Sequence, residues 1–183
     1  GSNAASLALA LRRGLAPREL LLRLAGSLPG EDVLLAMASG EYRFDVAPID
    51  LVRHGIGLDA LDRETRGTVR SDRHEHFAER AVGNAFFLNG EMVAYAYCWG
   101  DGRIGPIAAS SSAYVVQLFA FVLATLNRTH GATWCTLIAP ASNVRLTRAA
   151  LRAGLRIEDR WLLATDLQRA DFSRYVAYHR LGI

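Results

Sequence analysis

The chain has 183 residues, of which 51% are hydrophobic and 21% charged, with 21 Lys+Arg against 18 Asp+Glu and a formal charge of +3. That length suits a single domain of ~100–200 residues. The apolar share excludes a disordered chain, and the longest apolar runs, Val33–Ala38 and Leu118–Leu126, fall short of the ~18 residues that suggest a membrane span. Every basic residue is an arginine, so the surplus is permanent guanidinium charge. These arginines run from Arg12 to Arg180 interleaved with Asp and Glu, not gathered into the stripe a nucleic-acid binder carries. Nucleic acid and membranes are therefore not the expected partners. An anionic small ligand suits the charge equally well. Cys98 and Cys135 are isolated and in apolar surroundings, as expected of two reduced core thiols in a cytoplasmic protein. Residues Gly1–Ala4 read as an expression-tag remnant, and the arginine-broken apolar stretch after them does not read as a secretory signal.

In chain order, Ser6–Ser27 predicts helix in one or two pieces, with Pro17 in the first turn of the second. Leu28-Pro29-Gly30 breaks it. Val33–Ala38 and Tyr42–Ala47 around Ser39-Gly40 predict a strand, a turn and a strand. Asp50 caps a helix through Leu61 or beyond, and Ser71 or Asp72 a second over His74–Val82. Then Ala85–Leu88, Met92–Trp99 and Arg103–Ala109 read as three strands. Asn89-Gly90 and Asp101-Gly102 supply the turns, since both pairs tolerate positive φ. Ser110-Ser111-Ser112 reads as a capping cluster for an apolar helix over Ala113–Arg128, which Gly131 stops. Thr133–Ala139 is a strand, Ser142 or Asn143 caps a helix through Arg152, and Ile157–Asp166 is a final strand. Phe172–Leu181 predicts a last short helix. A meander joined to a βαβ-like unit makes the fold class α/β: a mixed, mostly antiparallel twisted sheet flanked by helices.

Over roughly Tyr42 to Gln168 the chain resembles the GNAT acyltransferase superfamily. The residues carrying the resemblance are Asp59-Ala60-Leu61-Asp62-Arg63 with Gly67, and then the meander Phe86–Ala109 ending in Gly105-Pro106-Ile107-Ala108-Ala109 before a helix. Leu137-Ile138-Ala139-Pro140-Ala141-Ser142-Asn143 follows, then Leu146, Ala149 and Gly154-Leu155. The resemblance implies a GNAT-like domain over residues 42–183, preceded by an extension over 5–41 of unassigned role. It implies that two neighbouring strands part, so that backbone of Ile107, Ala108 and Ala109 is free to bond the pantetheine arm of acetyl-CoA. Amides from Ser110, Ser111, Ser112, Ala113 and Tyr114 would hold the pyrophosphate, since a helix N-terminus offers unpaired N–H groups. A plain serine cap is the alternative there. Asn143 would touch the cofactor arm, or serve only as a helix N-cap.

The implied activity is acyl-CoA-dependent N-acyl transfer, acetyl-CoA being co-substrate and a small amine the acceptor. The second reading is a catalytically inactive module of the same fold that binds a ligand or a protein. Three departures motivate it. No glycine lies between Gly105 and Gly131, where the family's phosphate loop is glycine-rich. The position seven after Asn143, where many relatives carry tyrosine, is Ala150. Arg103–Ala109 contains no carboxylate to act as base. Tyr95, Tyr97 and Cys135 are the nearest polar side chains, yet strand alternation equally places each in the core, so the catalytic residues stay unassigned. His74 and His76, at i and i+2, diverge on a helix; they read as a solvated face and not as metal ligands. His130 reads as a cation at a helix C-terminus. Arg66, Arg70 and Arg73 read as a solvated basic loop, or as a grip on an acidic substrate. The acceptor and the oligomeric state, a homodimer being one option, are not specified.

Overall fold

A computed structural model of the chain describes residues 4–165 and 170–179. The elements are α1 (Ala4–Arg12), β1 (Ala16–Ser27), α2 (Glu31–Ala38), β2 (Asp45–Pro48), α3 (Leu51–Arg66), α4 (Ser71–Ala78), β3 (Val82–Leu88), β4 (Glu91–Cys98), β5 (Arg103–Ala109), α5 (Val115–His130), β6 (Trp134–Pro140), α6 (Val144–Arg152), β7 (Arg156–Thr165), a 3-10 turn Phe172–Arg174 and β8 (Tyr175–Val176). The strands form one sheet in the order β2-β3-β4-β5-β6-β1-β7, with β8 paired to β5. Among the described residues only β5 and β6 run parallel; the other ladders are antiparallel.

Local chemistry explains most of these elements. The Asp50 carboxylate accepts from the amides of Val52 and Arg53 and so opens α3. Asn89 and Gly90 both take positive φ, 53° and 83°, which turns β3 into β4 in the sense that matches strand twist. α5 and α6 cover one face of the sheet, burying Leu118, Phe119, Val122 and Leu126 against Ile104, Ile107 and Leu137. α3 and α4 cover the other, where Leu58, Leu61 and Phe77 pack against Tyr95, Tyr97 and Trp99.

Three sequence expectations are corrected. Residues 16–27 are a strand, not helix, and lie between β6 and β7 in the interior of the sheet. Leu20–Leu22 and Leu24 satisfy a helical period and a strand period alike; pairing with two partner strands decides between them. Residues 31–38 are helix α2 and not a strand. Glu31 and Asp32 sit in its first turn, where acids suit the dipole, and Gln117 of α5 donates to the Ala38 carbonyl (3.2 Å) at its end. Residues 175–176 are strand, where a terminal helix is predicted, because two strands flank them with free edges; Arg180 and Leu181 lie outside the described residues.

Both cysteines are free and buried. Burial pushes the Cys98 thiol up to about 11 and the Cys135 thiol up to about 12, so neither forms the reactive thiolate at neutral pH. Iodoacetamide is expected to label neither in native protein and both in denaturant, as counted by intact mass.

Candidate functional site

β5 and β6 pair only at Arg103↔Thr136 and Ile104↔Leu137. Beyond Ile104 they diverge, and the gap opens toward the segment that leads into α5. The gap is occupied by the chain itself. On one side β8 pairs antiparallel with β5 at Ile107↔Val176 and Ala108↔Tyr175. On the other, Ala177 bridges Ile138, its amide donating to the Ile138 carbonyl (2.9 Å). The Tyr175 carbonyl accepts from Asn143 Nδ2 (3.1 Å), and the Arg174 guanidinium donates to the Ser110 carbonyl at the mouth. Tyr175, Val176 and Ala177 are all fully buried.

Below β8, on the α3/α4 side, lies a buried polar cluster. Asp62 of α3 faces inward because it shares a stripe with Leu58, Leu61 and Thr65, the i, i+3, i+4, i+7 pattern of a buried helix face. Its carboxylate takes a two-pronged bond from Arg70, Nε at 2.8 Å and Nη2 at 3.0 Å. The same Nη2 donates to the hydroxyls of Tyr95 (2.9 Å) and Tyr175 (2.7 Å). The Tyr95 hydroxyl in turn donates to Asp62. His74 closes the group, with Nε2 3.2 Å from Asp62 and Nδ1 3.1 Å from the Tyr97 hydroxyl. A carboxylate acceptor fixes the tautomer with Nε2–H donating and Nδ1 accepting.

Burial alone raises the Asp62 pKa, but bonds from His74, the Arg70 charge and the Tyr95 bond outweigh it and hold the carboxyl below its ordinary 3.8. Burial pushes the Tyr95 and Tyr175 phenols up. At neutral pH Asp62 is therefore an anion matched by the Arg70 cation, and the Tyr95 and Tyr175 phenols are neutral. A folded-state carboxyl pKa below the unfolded one stabilises the fold above the unfolded value, and that gain is lost as pH falls through the folded one. Unfolding free energy is expected to drop with pH below about 4, and the drop to be shallower in Asp62→Asn, as followed by urea titration at each pH.

Of the residues expected to hold a cofactor, Ile107, Ala108 and Ala109 are fully buried; their β4 partners are Ala96, Tyr95 and Ala94, and Ile107 and Ala108 also pair with β8. Ser110 is exposed; its amide donates to the Val93 carbonyl (2.8 Å). Ser111 Oγ accepts from the Ala113 amide (3.2 Å), and half-buried Ser112 and Ala113 complete the turn. No serine caps α5: its N-cap is Tyr114, without a side-chain bond, and the Tyr114 ring packs edge-on against Tyr42 and Phe44. Asn143 is a helix cap, Oδ1 accepting from the Leu146 amide (3.3 Å), and its other end holds β8.

The arginine loop and the histidine pair are corrected as well. Arg66, Arg70 and His74 are buried and not solvated, whereas Arg73 is exposed. Asp62 and Tyr175 went unread as site residues, although an acid on the apolar stripe of α3 is a legible sign of a buried partner. Among the cavities formed by the described residues, two larger ones lie elsewhere. One of about 530 Å³ is lined by Leu34, Leu35, Tyr42, Phe44 and Phe121. One of about 400 Å³ is lined by Arg23, Arg103, Thr136, Asp159, Trp161 and Tyr178. Neither includes residues 107–114 or Asn143. Among the described residues no group of three or more His, Cys, Asp or Glu is arranged to hold a metal. No described helix is long and apolar enough to cross a membrane.

No family model and no curated protein matches the sequence. Solved structures do match. A proposed acetyltransferase from Pyrococcus horikoshii superposes with a TM-score of 0.60 over 95% of this chain and 55% of that one, at 16% identity. A GCN5-related N-acetyltransferase from Sphaerobacter thermophilus gives 0.53 over 88% and 56%, again at 16% identity. The fold is that of the GCN5-related N-acetyltransferases. A further neighbour is the C-terminal domain of a proposed lysylphosphatidylglycerol synthetase from Agrobacterium fabrum, with a TM-score of 0.50, 15% identity and coverage of 93% and 68%. The chain thus spans little more than half the length of the first and second of these structures.

Proposed function

We propose that, in the form described, this chain is a closed GNAT-fold module that binds or interacts without taking acetyl-CoA between β5 and β6. The observation carrying this reading is the pairing of β8 with Ile107 and Ala108, the backbone that the acyl-CoA reading needs free. The glycine-free turn before α5, Ala150 and the absence of a carboxylate on β5 point the same way. Withdrawing β8 exposes the Tyr175 and Val176 side chains, each worth about 1.5–3 kcal/mol, which weakens any ligand of the emptied gap by about 10²–10⁴-fold.

A second reading is acyl-CoA-dependent N-acyl transfer, from acetyl-CoA to a small amine. It is favoured by the divergence of β5 and β6 and by the acetyltransferase neighbours. In it the amine attacks the thioester carbonyl while backbone near Ile107–Ala109 polarises the oxygen, after β8 has left. Positioning alone supplies up to about 7–11 kcal/mol in the best intramolecular cases, so the missing acid and base do not forbid it. The two readings separate in one experiment. Acetyl-CoA at a hundred times its Kd adds about 2.7 kcal/mol of stability. The closed reading expects no thermal shift at millimolar acetyl-CoA and no thiol release across a panel of amines. A saturable shift accompanied by amine-dependent thiol release overturns it.

A further inference from the structure

The gap between β5 and β6 reads side chains as well as backbone. Tyr175 inserts its ring into the α3/α4-side core and presents its hydroxyl to Arg70 at 2.7 Å, with the guanidinium 5.4 Å from the ring centroid. Val176 enters the opposite core. Arg70 does not depend on the phenol for its placement, because Asp62 grips it at two nitrogens and Tyr95 at one of them. A guanidinium held in this way is preorganised for an incoming hydroxyl. Asn143 is likewise pinned at Oδ1 by the amide of Leu146, leaving Nδ2 to meet a strand carbonyl. Meanwhile β8 is short. It makes two ladder pairs with β5 and one bridge to β6, and it follows β7 in the chain, so its departure leaves the order of the seven long-path strands intact.

We propose that this gap is a strand-docking site for an extended, tyrosine-bearing peptide, that Arg70 is the residue that reads the phenol, and that β8 is its exchangeable occupant. Main-chain pairing supplies affinity and the side-chain pockets supply selectivity, as in other strand-addition sites. A site built to bond a hydroxyl disfavours the analogue lacking it, because the charge-assisted bond from Arg70 to the Tyr175 hydroxyl is lost while the buried guanidinium gains no water in exchange. The proposal deepens the closed reading by naming the chemistry of the partner. It involves no acyl-CoA, so it fails or stands separately from the acetyl-CoA experiment.

The test uses the full chain carrying Tyr175→Ala, which weakens the resident strand, and a synthetic peptide of residues 171–179. The wild-type peptide is expected to raise the melting temperature of this variant saturably. The same peptide with Tyr175→Phe is expected to bind at least about tenfold more weakly. No rise with the wild-type peptide, or equal rises with both, overturns the proposal. Should Tyr175→Ala fail to fold, the full chain with Tyr175→Phe serves instead, read by hydrogen exchange at the Ala177 amide. Exchange there is expected to accelerate about tenfold or more, and an unchanged rate overturns the proposal.

Discussion

Replacing Arg70 by methionine is expected to lower the unfolding free energy by about 3–5 kcal/mol, the cost of breaking a buried pair from one side. Asp62 is wholly buried and Arg70 is 5% exposed, so water cannot take over when the guanidinium is removed. The carboxylate would keep only His74 and Tyr95 as partners. The Tyr175 hydroxyl would lose the bond it accepts from Arg70. Charge burial dominates here, and lost packing does not, because methionine fills much of the same volume. Urea titration measures the change. Adding Asp62→Asn to Arg70→Met should recover part of the loss, since the stranded charge goes with it. A loss below about 1 kcal/mol would place the pair in the solvated class and sink the account of the cluster.

Gly105→Ala is expected to cost about 2–4 kcal/mol, from strained backbone plus overpacking. Gly105 has φ +123°, a conformation L side chains rarely adopt, and an added Cβ would stand 2.6 Å from the Ala177 carbonyl oxygen. That oxygen is backbone, so no side-chain rotation relieves the contact; the segment after β8 must move. The Trp99 indole also donates to the Gly105 carbonyl (2.8 Å) and resists rotation of that peptide. Gly90→Ala is the control. Its φ is +83° but nothing lies within 4 Å of the added carbon, so only the conformational cost of about 1–2 kcal/mol remains. Urea titration ranks the two, and hydrogen exchange at Ala177 should rise in the first variant alone. Equal costs with unchanged exchange would mean that β8 does not press on Gly105.

The legible and illegible parts of this chain differ in how far apart the cooperating residues are. Asp50, Asn89-Gly90, Gly131 and Asn143 each act within a few positions, through a cap, a turn or a left-handed stop. Their chemistry is visible without the fold. The meander and the helix–strand–helix–strand run after it could be read for that reason. The cofactor assignments at residues 107–114 came from the resemblance, which carries no information about what lies beside β5. Tyr95 and Tyr97 sit on successive odd positions of β4, and alternation gives them one face without saying what that face meets.

By itself, the sequence determined the class of fold, the order of its central elements and most of their ends, because propensity, capping and turn chemistry are local. Three matters were decided only by tertiary structure. Residues 16–27 became a strand because β6 and β7 offered them two edges. Arg70 became a buried cation because Asp62 faces it across the bend between α3 and α4. The gap between β5 and β6 was filled because Tyr175, 105 positions from Arg70, supplies the phenol that Arg70 meets. Contacts over such separations depend on which surfaces the whole chain brings together, and no window of neighbouring residues contains them.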